Sequence, residues 1–240
     1  MEQVNQLRPL LEELEPEVLE TNVQRVLDTL EANRYQGQPA AKLIAVTKTV
    51  APAVIDQLKP LGILDIGENR AQVALPKLPQ IAPEFRLHWI GRLQTNKVKD
   101  IIDHVCMLHS LDRLELAKEV DRRARQHGRV IPALVQVNIA GEEQKGGLEV
   151  RELEGFLRQM HEYPNIHVEG LMAIMPLVAS EAELDALFTG MRCLFEKMRA
   201  LNIEGVEMRE LSMGMSNDYE IAARNGATMV RVGTALYRRD

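Results

Sequence analysis

The stretch LIAVTKTV (residues 43–50) closes an apolar run with a lysine. Leu43, Ile44, Ala45 and Val46 have the character of a buried strand, and Lys48 follows at once. Such a lysine snorkels to solvent, joins a structural ion pair, or acts as an amine whose pKa is lowered by desolvation, so that it attacks an aldehyde or ketone. Two stretches near the C-terminus bear on the choice. LSMGMSND (211–218) offers Ser212, Gly214 and Ser216, and MVRVGT (229–234) offers Gly233 and Thr234. Loops of this kind hold a phosphate through backbone amides and short hydroxyl side chains. Either glycine alone is as well explained by a turn, and Ser216 by a helix N-cap. Their joint position on neighbouring loops favours the phosphate.

A nucleophilic lysine beside a phosphate cradle suits a phosphorylated aldehyde, which both sugar phosphates and pyridoxal phosphate satisfy. Arg231 distinguishes them. It precedes Gly233 by two residues, so a strand puts both on one face and an inward arginine needs a partner. The ring nitrogen of pyridoxal phosphate is one such partner. An arginine there donates a hydrogen bond, disfavours protonation of the nitrogen and weakens the ring as an electron sink. A barrel carboxylate such as Glu68 is the structural alternative.

These residues need strands to carry them. Apolar runs of strand length begin near Leu43, Leu64, Arg86, His104, Pro132, Val168, Met208 and Met229. Segments of helical period lie between them. Leu184, Leu187, Phe188, Met191, Leu194, Phe195, Met198 and Leu201 recur at three- and four-residue steps, with Ser180 and Glu183 spaced as a capping box. In DRLELAKEVDRRARQHG (112–128), Leu114, Ala117, Val120 and Ala124 share a stripe, with Asp112 expected as N-cap and Gly128 as the stop. Eight strands alternating with helices predict a single α/β domain over 1–240, a (β/α)8 TIM barrel. An open doubly wound sheet would place a glycine-rich turn after its first strand, where TKTVAP stands instead. Helices over roughly 1–36, broken near Pro9 and Pro16, are expected to pack outside the barrel.

Composition narrows the classes of function. No apolar run reaches the ~18 residues of a transmembrane helix, and the acidic N-terminus lacks the order of a signal peptide, so a cytoplasmic protein is expected. A net charge of −6, one Trp and four Phe argue against nucleic acid or an anionic membrane as the main partner. Cys106 and Cys193 are expected to be buried structural thiols, and the six histidines lack metal-binding spacing.

The blocks AVTKT, IGENR, HWIGRLQTNK, LHSLDR, VNIAGEEQKGG, GLMAIMP and ELSMGMSNDYEIAARNGATMVRVGTALY occur in order from about residue 42 to 237. Together they resemble the YggS/PROSC family of pyridoxal 5′-phosphate homeostasis proteins. The resemblance implies a barrel similar to the N-terminal domain of alanine racemases, the fold-type III arrangement. It implies that Lys48 carries the cofactor as an aldimine, that Ser212, Gly233 and Thr234 hold its phosphate, and that Arg231 faces the pyridine nitrogen. It places Asn69 beside the ring, and Met172 and Met213 in the pocket lining.

A racemase needs two acid–base groups, one on each face of the aldimine. In racemases sharing this barrel the second is a tyrosine from an added β domain, for which no stretch is expected here. Tyr35 and Tyr163 fall away from the strand ends, and neither Tyr219 nor Tyr237 is an obvious second base. The expected function is therefore a non-catalytic, monomeric cofactor carrier that exchanges pyridoxal phosphate with apo-enzymes or a regulatory protein. A low-activity monomeric racemase or lyase is the main alternative; an aldolase acting on a sugar phosphate and a purely sensory module are others. The segment 141–147 is a candidate mobile loop near the mouth.

Overall fold

The computed structural model describes residues 9–142, 146–176 and 179–239. Eight parallel strands close into a barrel in sequential order. They are β1 (Lys42–Val46), β2 (Asp65–Glu68), β3 (Arg86–Trp89), β4 (Val105–Leu111), β5 (Ile131–Gln136), β6 (Ile166–Met172), β7 (Val206–Ser212) and β8 (Met229–Val232). The circle closes where Ile44 pairs with Arg231 and Ala45 with Val232. The helices are α1 (Pro16–Ala32), α2 (Pro52–Asp56), α3 (Ala71–Lys77), α4 (Val98–Ile101), α5 (Leu114–Gln126), α6 (Leu153–Gln159), α7 (Glu181–Ala200), α8 (Tyr219–Arg224) and α9 (Thr234–Tyr237). The expected barrel class is the one observed.

Local chemistry explains several boundaries. α7 starts where Ser180 Oγ accepts from Glu183 N and the Glu183 carboxylate accepts from Ser180 N at 2.7 Å, the reciprocal arrangement the spacing predicts. α5 differs. Arg113, with an extended backbone, precedes its first turn, and Asp112 engages the Arg113 guanidinium instead of capping. Gly128 ends that segment in the left-handed region (φ 61°). Pro16 stands at the first position of α1, where its missing N–H has no cost, so it starts a helix rather than breaking one. The segment before α1 is not only outer packing. Leu11 N donates to Thr49 O at 2.8 Å and Ala51 N to Leu11 O at 3.0 Å, which straps the loop carrying Lys48.

The main apolar core lies between the strands and the helical ring, with Trp89, Phe188 and Phe195 its largest fully buried members. A small second cluster of Ile44, Met107, Leu134, Met172 and Met229 fills the barrel interior. Polar side chains share that interior: His88, His109, Ser212 and Arg231 are all buried. Of the two cysteines, Cys106 is half-buried, its thiol pushed up to about 12 by burial and the nearby Asp65. Cys193 is exposed on α7, so the expectation of two buried thiols fails for it: an outward helical position carries no packing demand. No helix among the described residues is long and apolar enough to cross a membrane.

Candidate functional site

Side chains alternate across a strand, so Ile44 in the interior cluster, Val46 at the strand end and Lys48 just beyond follow one face upwards. Val46 and Lys48 both line a cavity of about 770 Å³ at the carboxyl ends of the strands. Lys48 is exposed there, and its amine makes no hydrogen bond or ion pair with any described residue. The desolvation expected of it is therefore absent. The adjoining wall is built from Arg231, Gly233 and Thr234 on and after β8, which pairs with β1, and from Met215, Ser216, Asn217 and Asp218 after β7.

The turn after β7 requires glycine. Gly214 has φ 93°, and an added Cβ would stand 2.5 Å from Ala222 Cβ of α8. That close approach brings the following residues against the β8 loop. Ser216 Oγ accepts hydrogen bonds from Gly233 N at 3.1 Å and Ala235 N at 3.3 Å. Two backbone donors thus converge on one oxygen beside the cavity, an arrangement suited to a phosphate oxygen.

Arg231 is buried and points inward, as its two-residue offset from Gly233 predicts. Its partner is not Glu68. Nη1 donates to Ser212 Oγ at 2.6 Å and Nη2 to the carbonyl of Ala173 at 2.9 Å. Burial lowers the guanidinium to about 10, opposed by Asp218, so it stays charged at neutral pH. Asp218 accepts from Met215 N at 2.5 Å, and its carboxyl is raised, chiefly by burial.

Several expected residues are elsewhere. Ser212 is fully buried inside the barrel, bonded to Arg231 and His109 (3.0 Å), and is absent from the cavity wall; Ser216 stands at the β8 loop in its place. Met172 lies in the interior cluster and Met213 in the outer core, while Ile174 and Met215, two residues further along each chain, line the cavity. Ser212 and Met172 face the barrel interior, and Met213, next to Ser212, faces the outer core as alternation along a strand requires, so the wall is formed by the residues that follow. Asn69 does line the cavity, pressed against Gly91, where an added Cβ would meet Asn69 Cβ at 2.5 Å. Gly146 also contributes to the wall, whereas residues 143–145 of the expected loop lie outside the described residues. Through Asn69, Gly91 and Arg92 the cavity adjoins a larger basic groove of about 1130 Å³, bordered by Arg70, Lys97 and Arg113.

Two groups went unnoticed in the sequence. Lys77 of α3 is buried, with Nζ 2.5 Å from Glu68 Oε1 and 2.8 Å from the carbonyl of Thr47, the residue before Lys48. Thr47 Oγ1 donates to the same carboxylate oxygen at 2.8 Å. This ion pair therefore fixes the strand end that presents Lys48. The second group is the pair His88 and His109, joined at 2.9 Å inside the barrel. A histidine within an apolar strand, as in RLHW and CMLHSL, was the available signal.

The alanine racemase N-terminal domain family matches residues 18–239. A pyridoxal phosphate homeostasis protein of Aquifex aeolicus is 41% identical over 204 residues, spanning 84% of this chain and 88% of that protein. The solved structure of PipY from Synechococcus elongatus with PLP bound matches at a TM-score of 0.81 and 31% identity, covering 92% of this chain and 100% of the other. An alanine racemase from Corynebacterium glutamicum shares the fold, with a TM-score of 0.70 at 16% identity over 96% of this chain and 63% of its own. By the family match and by its kinship with the homeostasis proteins, this chain belongs to the alanine racemase N-terminal domain family.

Proposed function

We propose that the protein holds pyridoxal 5′-phosphate at the barrel mouth, as an imine on Lys48, and serves in the homeostasis and transfer of that cofactor rather than in turnover of a substrate. One observation carries this reading: Lys48, Arg231 and the junction of the Ser216 and Gly233 loops wall a single cavity. Its volume, about 770 Å³, suits a small cofactor. When bound, the group supplies an aldehyde carbon and an aromatic ring that accepts electrons. Ser216, Gly233 and Thr234 would take the phosphate, the free amine of Lys48 the aldehyde, and Arg231 the ring nitrogen. Asn69 borders the ring position. The naming of a 41% identical relative and the PLP-bound form of PipY support the choice of ligand.

The wall also bears on carrier against enzyme. Among the described residues that form it, the ionisable groups are Lys48, Arg92, Asp218 and Arg231. An arginine at the ring nitrogen disfavours the protonated, strongly electron-withdrawing ring, and the open mouth admits water, which enzymes exclude around charged intermediates. Holding and releasing the aldehyde fits both features. A low-activity racemase or lyase draws on Asp218, a carboxyl on the same wall. The carrier is expected to act as a cytoplasmic monomer and to pass its cargo to apo-enzymes.

Absorbance of the purified protein before and after borohydride, with mass mapping of the reduced peptide, tests the ligand. A pyridoxyl mass on Lys48 is expected. A colourless protein left unmodified after pyridoxal phosphate is added would refute the assignment. Deuterium incorporation from solvent at Cα of alanine would favour the racemase.

A further inference from the structure

Behind Arg231 an unbroken line of hydrogen bonds crosses the barrel. Arg231 Nη1 of β8 donates to Ser212 Oγ of β7 at 2.6 Å. Ser212 Oγ lies 3.0 Å from His109 Nδ1 of β4. His109 Nε2 lies 2.9 Å from His88 Nδ1 of β3, and His88 Nε2 lies 2.8 Å from Asp65 Oδ1 of β2. Arg86 closes the line on the same carboxylate, with Nε at 2.9 Å and Nη2 at 2.6 Å. Every member except Arg86 is buried. Asp65 opens β2, three residues before the strand's last residue Glu68. At the usual rise per residue, Asp65 therefore stands about 10 Å along the strand from its mouth end.

The proton positions along this line follow from donor and acceptor capacity. A guanidinium only donates, so Ser212 Oγ must accept from Arg231. A hydroxyl oxygen can accept twice but gives only one hydrogen, and every gap of the line is filled when that hydrogen goes to an unprotonated His109 Nδ1. His109 therefore carries its proton on Nε2 and gives it to His88 Nδ1. His88 in turn carries its proton on Nε2 and gives it to the Asp65 carboxylate. Each gap holds one proton and each buried polar atom on the line has a partner. Adding one proton at His88 would reverse two of these bonds and leave the Ser212 hydrogen without an acceptor on the line. Burial, the largest cause, pushes the His109 imidazole well below its ordinary range, consistent with the neutral ring.

We propose that Ser212, His109, His88 and Asp65 are positioning residues that act through Arg231: a single-file relay fixes the guanidinium as a donor to the cavity and ties the electronic state of a bound pyridine ring to a carboxylate at the opposite end of the barrel. Arg231 is the only relay member on the cavity wall among the described residues. Its two terminal nitrogens are held from below and from the side, by Ser212 and by the Ala173 carbonyl. This leaves the guanidinium no freedom to withdraw when the ring nitrogen needs a donor. The effect on the cofactor rests on the reading given under Proposed function; the relay itself does not.

Two measurements separate these claims. In ligand-free protein with 15N-labelled histidine, both imidazoles should appear as neutral Nε2–H tautomers. Ser212→Ala should release His109 into a tautomer mixture. A protonated Nδ1 on His109 in the wild type, or a His109 pattern unmoved by Ser212→Ala, would overturn the relay. In protein loaded with pyridoxal phosphate, Asp65→Asn keeps side-chain shape and an acceptor but removes the charge. It should shift the absorption band of the bound cofactor while circular dichroism remains that of the wild type. Ser212→Ala should shift the band as well. Unchanged bands in both folded variants would refute the coupling to the cofactor. Wild-type protein that takes up no pyridoxal phosphate would sink the functional reading and the coupling together, with the relay still decided by the tautomers.

Discussion

Ser216 Oγ stands 3.1 Å from the backbone nitrogen of Gly233, joining the loop after β7 to the loop after β8 through a single oxygen. The same oxygen accepts from Ala235 N, so the junction presents two amide donors to one point beside the cavity that Lys48 enters. Backbone amides cost no side-chain entropy to aim, which makes such a junction a stable anion cradle.

Removing that hydroxyl should weaken retention of pyridoxal phosphate without unfolding the protein. Ser216→Ala is expected to lose a hydrogen bond to a charged group, about 1.5–3 kcal/mol, or roughly ten- to a hundred-fold in affinity. Titration of the ligand-free variant, followed by fluorescence, gives the number. An affinity equal to the wild type would place the phosphate elsewhere.

Lys48→Ala should abolish the adduct that borohydride fixes. Some noncovalent binding should survive, because the amide donors and Arg231 are untouched. Mass mapping that finds the pyridoxyl group on another lysine of the wild-type protein would remove Lys48 from the role proposed for it.

The Lys77–Glu68 pair should matter for stability out of proportion to its size. Both side chains are buried, and Glu68 Oε2 has no hydrogen-bond partner among the described residues. Lys77→Met strands a buried carboxylate and is expected to cost about 3–5 kcal/mol. The double variant Lys77→Met with Glu68→Leu should recover much of the loss, since replacing both members with apolar groups removes the uncompensated charge. Chemical denaturation of the three proteins measures this. A double variant no more stable than Lys77→Met would show that the pair contributes more than mutual charge cancellation.

Acid should destabilise the fold in two stages. For His109 the folded pKa lies below the unfolded one, so its contribution is complete above about pH 6.5 and falls as the unfolded chain takes up the proton. Asp65 is subject to burial, which raises its carboxyl, but hydrogen bonds from His88 and Arg86 outweigh burial and hold it well below the ordinary range. Its contribution is complete above the unfolded value near 4 and is lost at lower pH. Thermal unfolding followed from about pH 7 to about pH 2 should show one decline below about pH 6.5 and a second below about pH 4, and His109→Gln should flatten the upper one. An identical slope in that variant would assign the upper decline to other groups.

Much of this protein is decided locally. Eight apolar runs spaced by helical segments specify a barrel, because each strand buries both faces and each helix can cover only one side of the sheet. Ser180 and Glu183 set the start of α7 through bonds within one turn, and the offset of two between Arg231 and Gly233 fixes a shared face. Lys48 and Asn69 reach the mouth because they follow strand ends in sequence. What sequence could not decide is which residues around the ends of β6 and β7 face the cavity. In the fold Ser212 and Met172 are buried in the barrel interior and Met213 in the outer core, while Ser216, Ile174 and Met215 reach the cavity. Nor does spacing reveal that Lys77 reaches Glu68, or that Ser212 of β7 meets the His88–His109 pair of the neighbouring strands β3 and β4. The last of these depends on closure of the barrel: only a closed interior brings His109 of β4 and Ser212 of β7 within hydrogen-bonding distance, and only its exclusion of water makes each of them pair.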